Sequence, residues 1–557
     1  MSDIRRREFL ASAAAAASAA SVGAAPARAA NPSGASADAE LANRGFRFSD
    51  KLYEVYVYDD LYYQNEFIKM PRDPSPLPTF AESRDLLPDP YWEGNEVAID
   101  CWWKIWELAF QNLRKPTPES GFPANYIDTA FNDAIFMWDS AFILMFGRYG
   151  RRAFDFLRTL DNFYAKQHYD GFICREIGQP LGDDRFQRYD PTSTGPNVLG
   201  WTEWEYYLNF GDKQRLAKVF PVLTSYHHWL RTYRTWQDGS YYSSGWGCGM
   251  DNQPRLPAGL VDKWGQRLHE QFSHGHMTWV DACLQMLLSA KLLQAMAKEV
   301  GRESDVGDMR REATFLQEFV NNSLWNEDHQ FYCDRFRDGR LSHVKSIGAY
   351  WALLADATPP ERLGALVAHL ENPAEFNRPH RVPTLSAGDP DYQADNGGYW
   401  KGAVWPPTNY MVLRGLTQIG NDRLAHEIAI NHLRNVHRVF AETGTVWENY
   451  APEAAKPGAA RKDFVGWGGL PGTAVLLEYA FGLRPDVPAG KLVWDVRLTD
   501  AHGVKKYPFG PNAIVDLQCP RRASTRVEPN VTVRSNESVS VEVLWEGGSK
   551  TVAATVV

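Results

Sequence analysis

The sequence predicts a mainly α fold, an (α/α)6 toroid barrel carrying a small C-terminal antiparallel β domain. Three observations lead there. Helical periodicity recurs about twelve times between residues 96 and 485, broken by Gly- and Pro-rich loops. Neighbouring helices join through tight turns such as NFGDKQRL and QIGNDRLA, the signature of αα-hairpins. Their hydrophobicity also alternates. WTEWEYYLNF and GTAVLLEYAFGL are apolar nearly all round, whereas KQRLAKVFPVLTSYHHWLRTY carries a charged face, as inner and outer helices of a toroid require.

The elements follow in order. Helices are expected near 96–114, 136–148, 151–168, 195–210, 213–236, 274–300, 304–324, 343–356, 359–370, 400–419, 421–440 and 467–482. Residues 486–557 change texture: KLVWDVRLTD, AIVDLQCP, NVTVRSN, SVSVEVLWEGG and KTVAATVV alternate with period two, as strands of a sandwich-like accessory domain do. Residues 30–95 form an N-terminal extension expected to pack on the barrel, and 96–485 form the barrel itself. Residues 1–29 read as a targeting segment, with the twin-arginine pattern Arg6-Arg7-Glu8-Phe9-Leu10, an Ala-rich stretch and Ala27-Arg28-Ala29 as a cleavage signal. A periplasmic or secreted mature protein is the expectation.

Composition limits the function classes. The formal charge of −9 becomes −11 once residues 1–29 go, because four Arg leave with one Asp and one Glu. An acidic chain lacks the phosphate-neutralising patch of a nucleic-acid binder. No segment beyond the leader approaches ~18 uninterrupted apolar residues, so no membrane anchor is expected. Six cysteines are scattered without a CxxC pair, His227-His228 and His274-Gly275-His276 have the spacing of poor metal pairs, and HExxH is absent; no metal or cofactor is expected. The aromatic content is high, with 20 Trp, 25 Tyr and 28 Phe. Many tryptophans adjoin Gly, Asp, Glu or Asn, the mixture that a sugar's C–H faces and hydroxyl rim require.

Two loops stand out. SGWGCGMDNQPRL places Asp251 among glycines and Trp246, and TGTVWENYAPE repeats the texture around Glu448. Roughly 200 residues separate the two acids, so only the fold can bring them together. A pair of carboxylates flanking a glycosidic bond is the minimal apparatus for its hydrolysis, with a wide separation leaving room for water and giving inversion. The competing reading of Asp251 alone is an Asx-type turn, and that of Glu448 a rim carboxylate bonded to backbone.

The segment from about residue 95 to 485 resembles the inverting (α/α)6 glycosidases of the trehalase, glycoside hydrolase family 63 and mannosylglycerate-hydrolase-like clan. The resemblance rests on MWDSAF (137–142), GFICREIG (171–178), GWGCGMDNQPR (245–255), YWKGAVWPPTNYMV (399–412), VWENYAP (446–452) and GWGGLPGTAVLLEY (466–479), in that order. It implies Asp251 as general acid, Glu448 as general base, and Trp138 with Asp139 at the terminal sugar. Lys401 stands where many relatives carry Arg, and the N-terminal β-sandwich of the larger relatives has no counterpart in residues 31–95. Further candidate sugar contacts are Arg175, Glu176, Trp201, Glu203, Trp246, Asn252, Trp400, Trp405 and Trp447, together with Lys401. The expected activity is hydrolysis of a terminal α-linked sugar, α-glucose favoured, from a small glycoside or oligosaccharide. A polysaccharide lyase on the same toroid and a non-catalytic sugar-binding protein are the alternatives.

Overall fold

The computed structural model describes residues 60–129, 133–256, 269 and 271–557. The targeting segment lies outside the described residues.

The chain is mainly helical, and each of the twelve expected helices has a counterpart: Glu96–Gln111, Met137–Gly147, Thr159–Ala165, Leu199–Phe210, Lys213–Tyr233, Val280–Val300, Gly307–Ser323, Trp351–Leu354, Pro360–Glu371, Pro406–Gln418, Asp422–Thr443 and the π-helix Pro471–Ala480. The hairpin turns work as their residues dictate. Gly211 ends one helix in the left-handed region at φ 69°, and Asp212 begins the next by accepting the Arg215 N–H at 2.9 Å. Every residue of Met137–Gly147 and of Pro471–Ala480 is buried. Asp422–Thr443 instead buries one face and exposes the other, whereas Lys213–Tyr233 is exposed only in its first turns.

Two helices differ from expectation. The pattern over 151–168 yields only Thr159–Ala165, because Asp155 leaves the helical region at ψ 83°. The chain then continues through the 3-10 turn Phe156–Arg158 rather than a helix. In the same way 343–356 shortens to a 3-10 turn, Ile347–Tyr350, running into Trp351–Leu354.

The C-terminal strands form two sheets. Strands β1 (Asp89–Trp92), β4 (His502–Phe509), β5 (Ala513–Cys519), β6 (Thr532–Ser535) and β9 (Thr555–Val556) make the first, in the order β1-β4-β5-β6-β9. Strands β2 (Leu483–Asp486), β3 (Lys491–Asp495), β7 (Ser540–Trp545) and β8 (Gly548–Ala553) make the second, in the order β8-β7-β3-β2. The expected antiparallel pairing holds for most pairs, but β6 with β9 and β3 with β7 run parallel. The reason is connectivity: three strands of the first sheet intervene between β3 and β7, so the chain returns to its own sheet by a crossover. Strand β1 comes from the N-terminal extension and pairs Trp92 with His502. The sheets dock on the helices through Asn209, whose amide donates to the Pro508 carbonyl at 3.0 Å and whose carbonyl accepts the Gly510 N–H at 2.9 Å.

Candidate active site

Strand-like backbone Ala134–Phe136 pairs with Glu176–Gly178, setting Phe136 opposite Glu176, and the Met137 N–H donates to the Arg175 carbonyl at 2.8 Å. The helix Met137–Gly147 begins there, so Trp138 and Asp139 occupy its first turn beside Arg175 and Glu176. Arg175 Nη2 lies 2.5 Å from Glu176. Trp138 rests on Phe142 and Trp351, which form an apolar floor.

The Asp251 loop closes over this floor. Its backbone folds on itself, with Cys248 N–H donating to Ser244 O, Gly249 N–H to Trp246 O and Met250 N–H to Gly245 O. Gly249 sits at φ 76°, and a Cβ there would lie 2.9 Å from Trp138 Nε1. That contact explains the glycine: the loop has to pass flat across the indole. Arg255 anchors the loop from below. Its guanidinium is buried against Trp279 and bonded to both oxygens of Asp281, at 2.6 and 2.9 Å, and to Asp334 at 2.8 and 2.6 Å. Asn252 anchors it sideways. It donates to Gly398 O at 3.0 Å and accepts the Trp400 N–H at 2.9 Å.

Glu448 lies between two isolated bridges, Trp447 with Lys462 and Tyr450 with Val404. Its N–H donates to Arg461 O at 2.8 Å, its carboxylate accepts the Arg461 N–H at 3.2 Å, and its carbonyl accepts the Trp467 indole N–H at 2.9 Å. Glu448 is buried, while Trp447 packs on the helix Asp422–Thr443 with its indole N–H on Thr443 Oγ1.

Electrostatics tie these loops into one cluster. Burial pushes the Glu448 carboxyl up to about 7, opposed by the Arg461 backbone and guanidinium and reinforced by the Asp251 charge. Burial likewise holds Asp139 well above the usual carboxylate range, with the charges of Glu448 and Glu176 adding to it. The Tyr399 hydroxyl is raised by burial and then by Asp251, Glu448 and Asp139 in turn. The backbone brings these four together from four separate segments. Asp139 Oδ1, Trp138 Nε1 and Arg175 Nε are buried and have no hydrogen-bond partner among the described residues. Such atoms carry a desolvation cost that a hydroxyl-rich ligand would relieve.

The remaining expected contacts are placed as follows. Trp246 lies in the acid loop beneath Arg175, whose guanidinium stands 5.3 Å from its ring. Trp400 stacks on Trp405 at 3.8 Å with planes 6° apart, and both rings are buried. Trp201 sits one layer deeper than Trp138, against Phe142 and Trp351, with its indole N–H on Glu205. Four candidates are committed elsewhere. Glu203, two residues from Trp201 and so across the helix, is bonded to Arg215 and Tyr164. Asn252 spends both ends of its amide on the Gly398 and Trp400 backbone, which makes it a positioning group. Lys401 is partly exposed, 3.7 Å from Asp391. Trp447 packs on the helix Asp422–Thr443.

Sequence reasoning missed Tyr399 and Arg461. Tyr399 lies inside the quoted YWKGAVWPP motif and takes φ 71°, unusual for a non-glycine residue. Arg461 sits in AAKPGAARKDF, where nothing marks it.

Buried carboxylates coupled from separate segments beside an aromatic floor are what the site of a glycoside hydrolase requires. Residues 133–465 match the model of the mannosylglycerate hydrolase MGH1-like glycoside hydrolase domain, and the chain belongs to that family. The match spans Asp139, Asp251, Tyr399 and Glu448 and ends before the C-terminal sheets. An uncharacterized protein of Borreliella burgdorferi is 22% identical over 386 residues, covering 67% of this chain and 76% of that one. A probable mannosyl-oligosaccharide glucosidase of Schizosaccharomyces pombe is 25% identical over 291 residues, which is 46% of this chain and only 34% of the yeast protein. The family 63 mannosylglycerate hydrolase of Thermus thermophilus, solved in complex with glucose, superimposes with a TM-score of 0.54 at 19% identity, covering 68% of this chain and 99% of that one.

Proposed function

We propose that this glycoside hydrolase is an exported, inverting exo-enzyme that removes a terminal α-linked sugar, α-glucose favoured, from a short glycoside. The observation that carries the reading is the convergence of Asp251 and Glu448, nearly 200 residues apart in sequence, on one cluster with Asp139 and Tyr399. In this reading the helical hairpins close into an (α/α)6 barrel and the loops at one end form the pocket.

The chemistry follows from the groups present. Asp251 protonates the glycosidic oxygen as the bond to the anomeric carbon breaks. Glu448 takes a proton from a water attacking the opposite face. A base with a pKa near the working pH combines availability with strength, and burial puts Glu448 at about 7. In this reading Asp139 and Trp138, in the first turn of their helix, supply contacts to the terminal ring. Glucose in the Thermus relative and the glucosidase named in the yeast relative support a hexose of this size. Export rests on the twin-arginine pattern at Arg6-Arg7.

Proton NMR of the mature protein with α- and β-linked glucosides, galactosides and mannosides tests the reading. The expected result is β-glucose appearing first from an α-glucoside. First release of the α-anomer contradicts inversion, and no turnover across the panel contradicts the substrate class. Export is tested by replacing Arg6-Arg7 with Lys-Lys, which is expected to hold the chain in the cytoplasm.

A further inference from the structure

Beyond the pocket for the terminal sugar, one feature bears on what that sugar is attached to. Trp246 is five residues from the proposed acid, on the same loop. An acid that protonates the leaving oxygen sits on the leaving group's side, so its loop lines that side. There Trp246 meets Phe272 edge-on at 4.8 Å and Phe186 at 5.8 Å. The three rings form a wall that is open to solvent: Phe272 is 37% exposed, and Trp246 and Phe186 are half-buried. Trp400 and Trp405, by contrast, are buried against each other and present no such face.

Arg175 completes the wall without making it an anion receptor. Its guanidinium lies 4.7 Å from the Phe186 ring and 5.3 Å from Trp246, so aromatic faces cover it. Its Nη2 is paired with Glu176 at 2.5 Å. Its buried Nε has no partner among the described residues and suits a single hydroxyl. Glu176 and Asp139, which lie close enough to Arg175 and to each other to interact, add negative charge here, which disfavours an approaching anion.

We infer that the Trp246–Phe272–Phe186 wall selects a neutral, ring-bearing leaving group, one presenting a flat C–H or π face and a hydroxyl, over an acyclic acid such as glycerate. The inference rests on the glycosidase reading and departs from the mannosylglycerate name of the relatives. A second pyranose and an aryl group share the required chemistry.

The test uses one glycone, the sugar released in the NMR panel, carried on four leaving groups: methanol, glycerate, a hexose and phenol. kcat/KM is measured for wild type, Trp246→Ala and Trp246→Tyr. Trp246→Ala is expected to cost the ring-bearing substrates tenfold or more, about 1.4 kcal/mol, and at least fivefold more than it costs the methyl glycoside and glycerate conjugate, with Trp246→Tyr recovering most of the difference. A loss confined to the disaccharide identifies a second sugar, and one shared with the phenyl glycoside identifies any flat ring. An equal loss on all four, or a wild-type preference for glycerate, overturns the inference while leaving the glycosidase reading intact. Absence of turnover on every substrate contradicts the glycosidase reading instead. The wall is then read by calorimetry of the same ligands on Asp251→Asn protein, where binding indifferent to Trp246→Ala overturns the inference.

Discussion

Two groups of buried carboxylates lie at opposite ends of the helix Met137–Gly147, and they are treated in opposite ways. At its C-terminal end, Arg148 bonds Glu205 at 2.9 Å and Glu478 at 2.5 Å, Arg414 reaches Glu205 at 2.5 Å, and Tyr149 and Tyr410 complete the coordination of Glu478. Burial there is more than offset, since Arg414 and Arg148 hold Glu205 below its ordinary value. At the N-terminal end, some 16 Å away by the helical rise, Asp139 and Glu448 form no ion pair among the described residues, and both are raised. A fold that neutralises its carboxylates so thoroughly at one end has the means to do so at the other. Leaving Asp139 and Glu448 without an ion pair, with Glu448 only partly compensated by Arg461 and Tyr399, costs stability, and that is the expected mark of groups held ready for a substrate.

The comparison can be broken most severely at the acid pair. Asp251→Asn and Glu448→Gln are each expected to lower kcat/KM by ~10²–10⁴-fold with unchanged circular dichroism; activity within tenfold of wild type in either variant removes that residue from the mechanism. At the other end, Glu205→Gln leaves Arg148 and Arg414 facing an uncharged amide. It is expected to cost about 3–5 kcal/mol of stability, visible as a lowered unfolding midpoint, with the bond-breaking groups untouched.

The sign of the pH effect sharpens the contrast. Glu448 binds its proton more tightly folded, at about 7, than at its ordinary 4.5. Between those values the folded chain carries the extra proton, so this group makes stability fall as pH rises. Glu448→Gln removes the burden, and it is expected to stabilise the protein by up to about 3 kcal/mol at pH 8 and to have little effect below pH 4.5. If Glu448 is the base, kcat/KM should also fall about tenfold per pH unit below roughly 7, and a flat profile from pH 5 to 8 would assign the base elsewhere. The smallest expected effect is at Asn252. Asn252→Ala loosens the acid loop from Gly398 and Trp400 and should reduce kcat about tenfold by misplacing Asp251, with KM nearly unchanged.

The sequence made some of these regions readable and hid others. Helical hairpins were legible because the Gly211-Asp212 turn carries its own cap chemistry and because burial all round separates Met137–Gly147 from its amphipathic neighbours. The shortening of 151–168 was hidden, since no glycine or proline marks the non-helical backbone at Asp155. Alternation announced the C-terminal strands but carries no information on partner direction, so the parallel β3–β7 pairing could not be read. At the site, Asp251 and Glu448 stand out in the sequence by the shared texture of their loops, and the fold brings them close enough for their charges to interact. Glu203 and Trp447 looked equivalent to their neighbours, yet the fold commits them to Arg215 and to the helix Asp422–Thr443. Arg461 reaches Glu448 through a chain reversal that nothing in AAKPGAARKDF encodes.

The most direct test of the central contrast is urea unfolding of Glu448→Gln and Glu205→Gln against wild type at pH 8. Opposite shifts are predicted, a higher midpoint for Glu448→Gln and a lower one for Glu205→Gln. A lower midpoint for both would mean that Glu448 is as structurally compensated as Glu205, and would contradict the claim that the fold leaves its burial only partly offset.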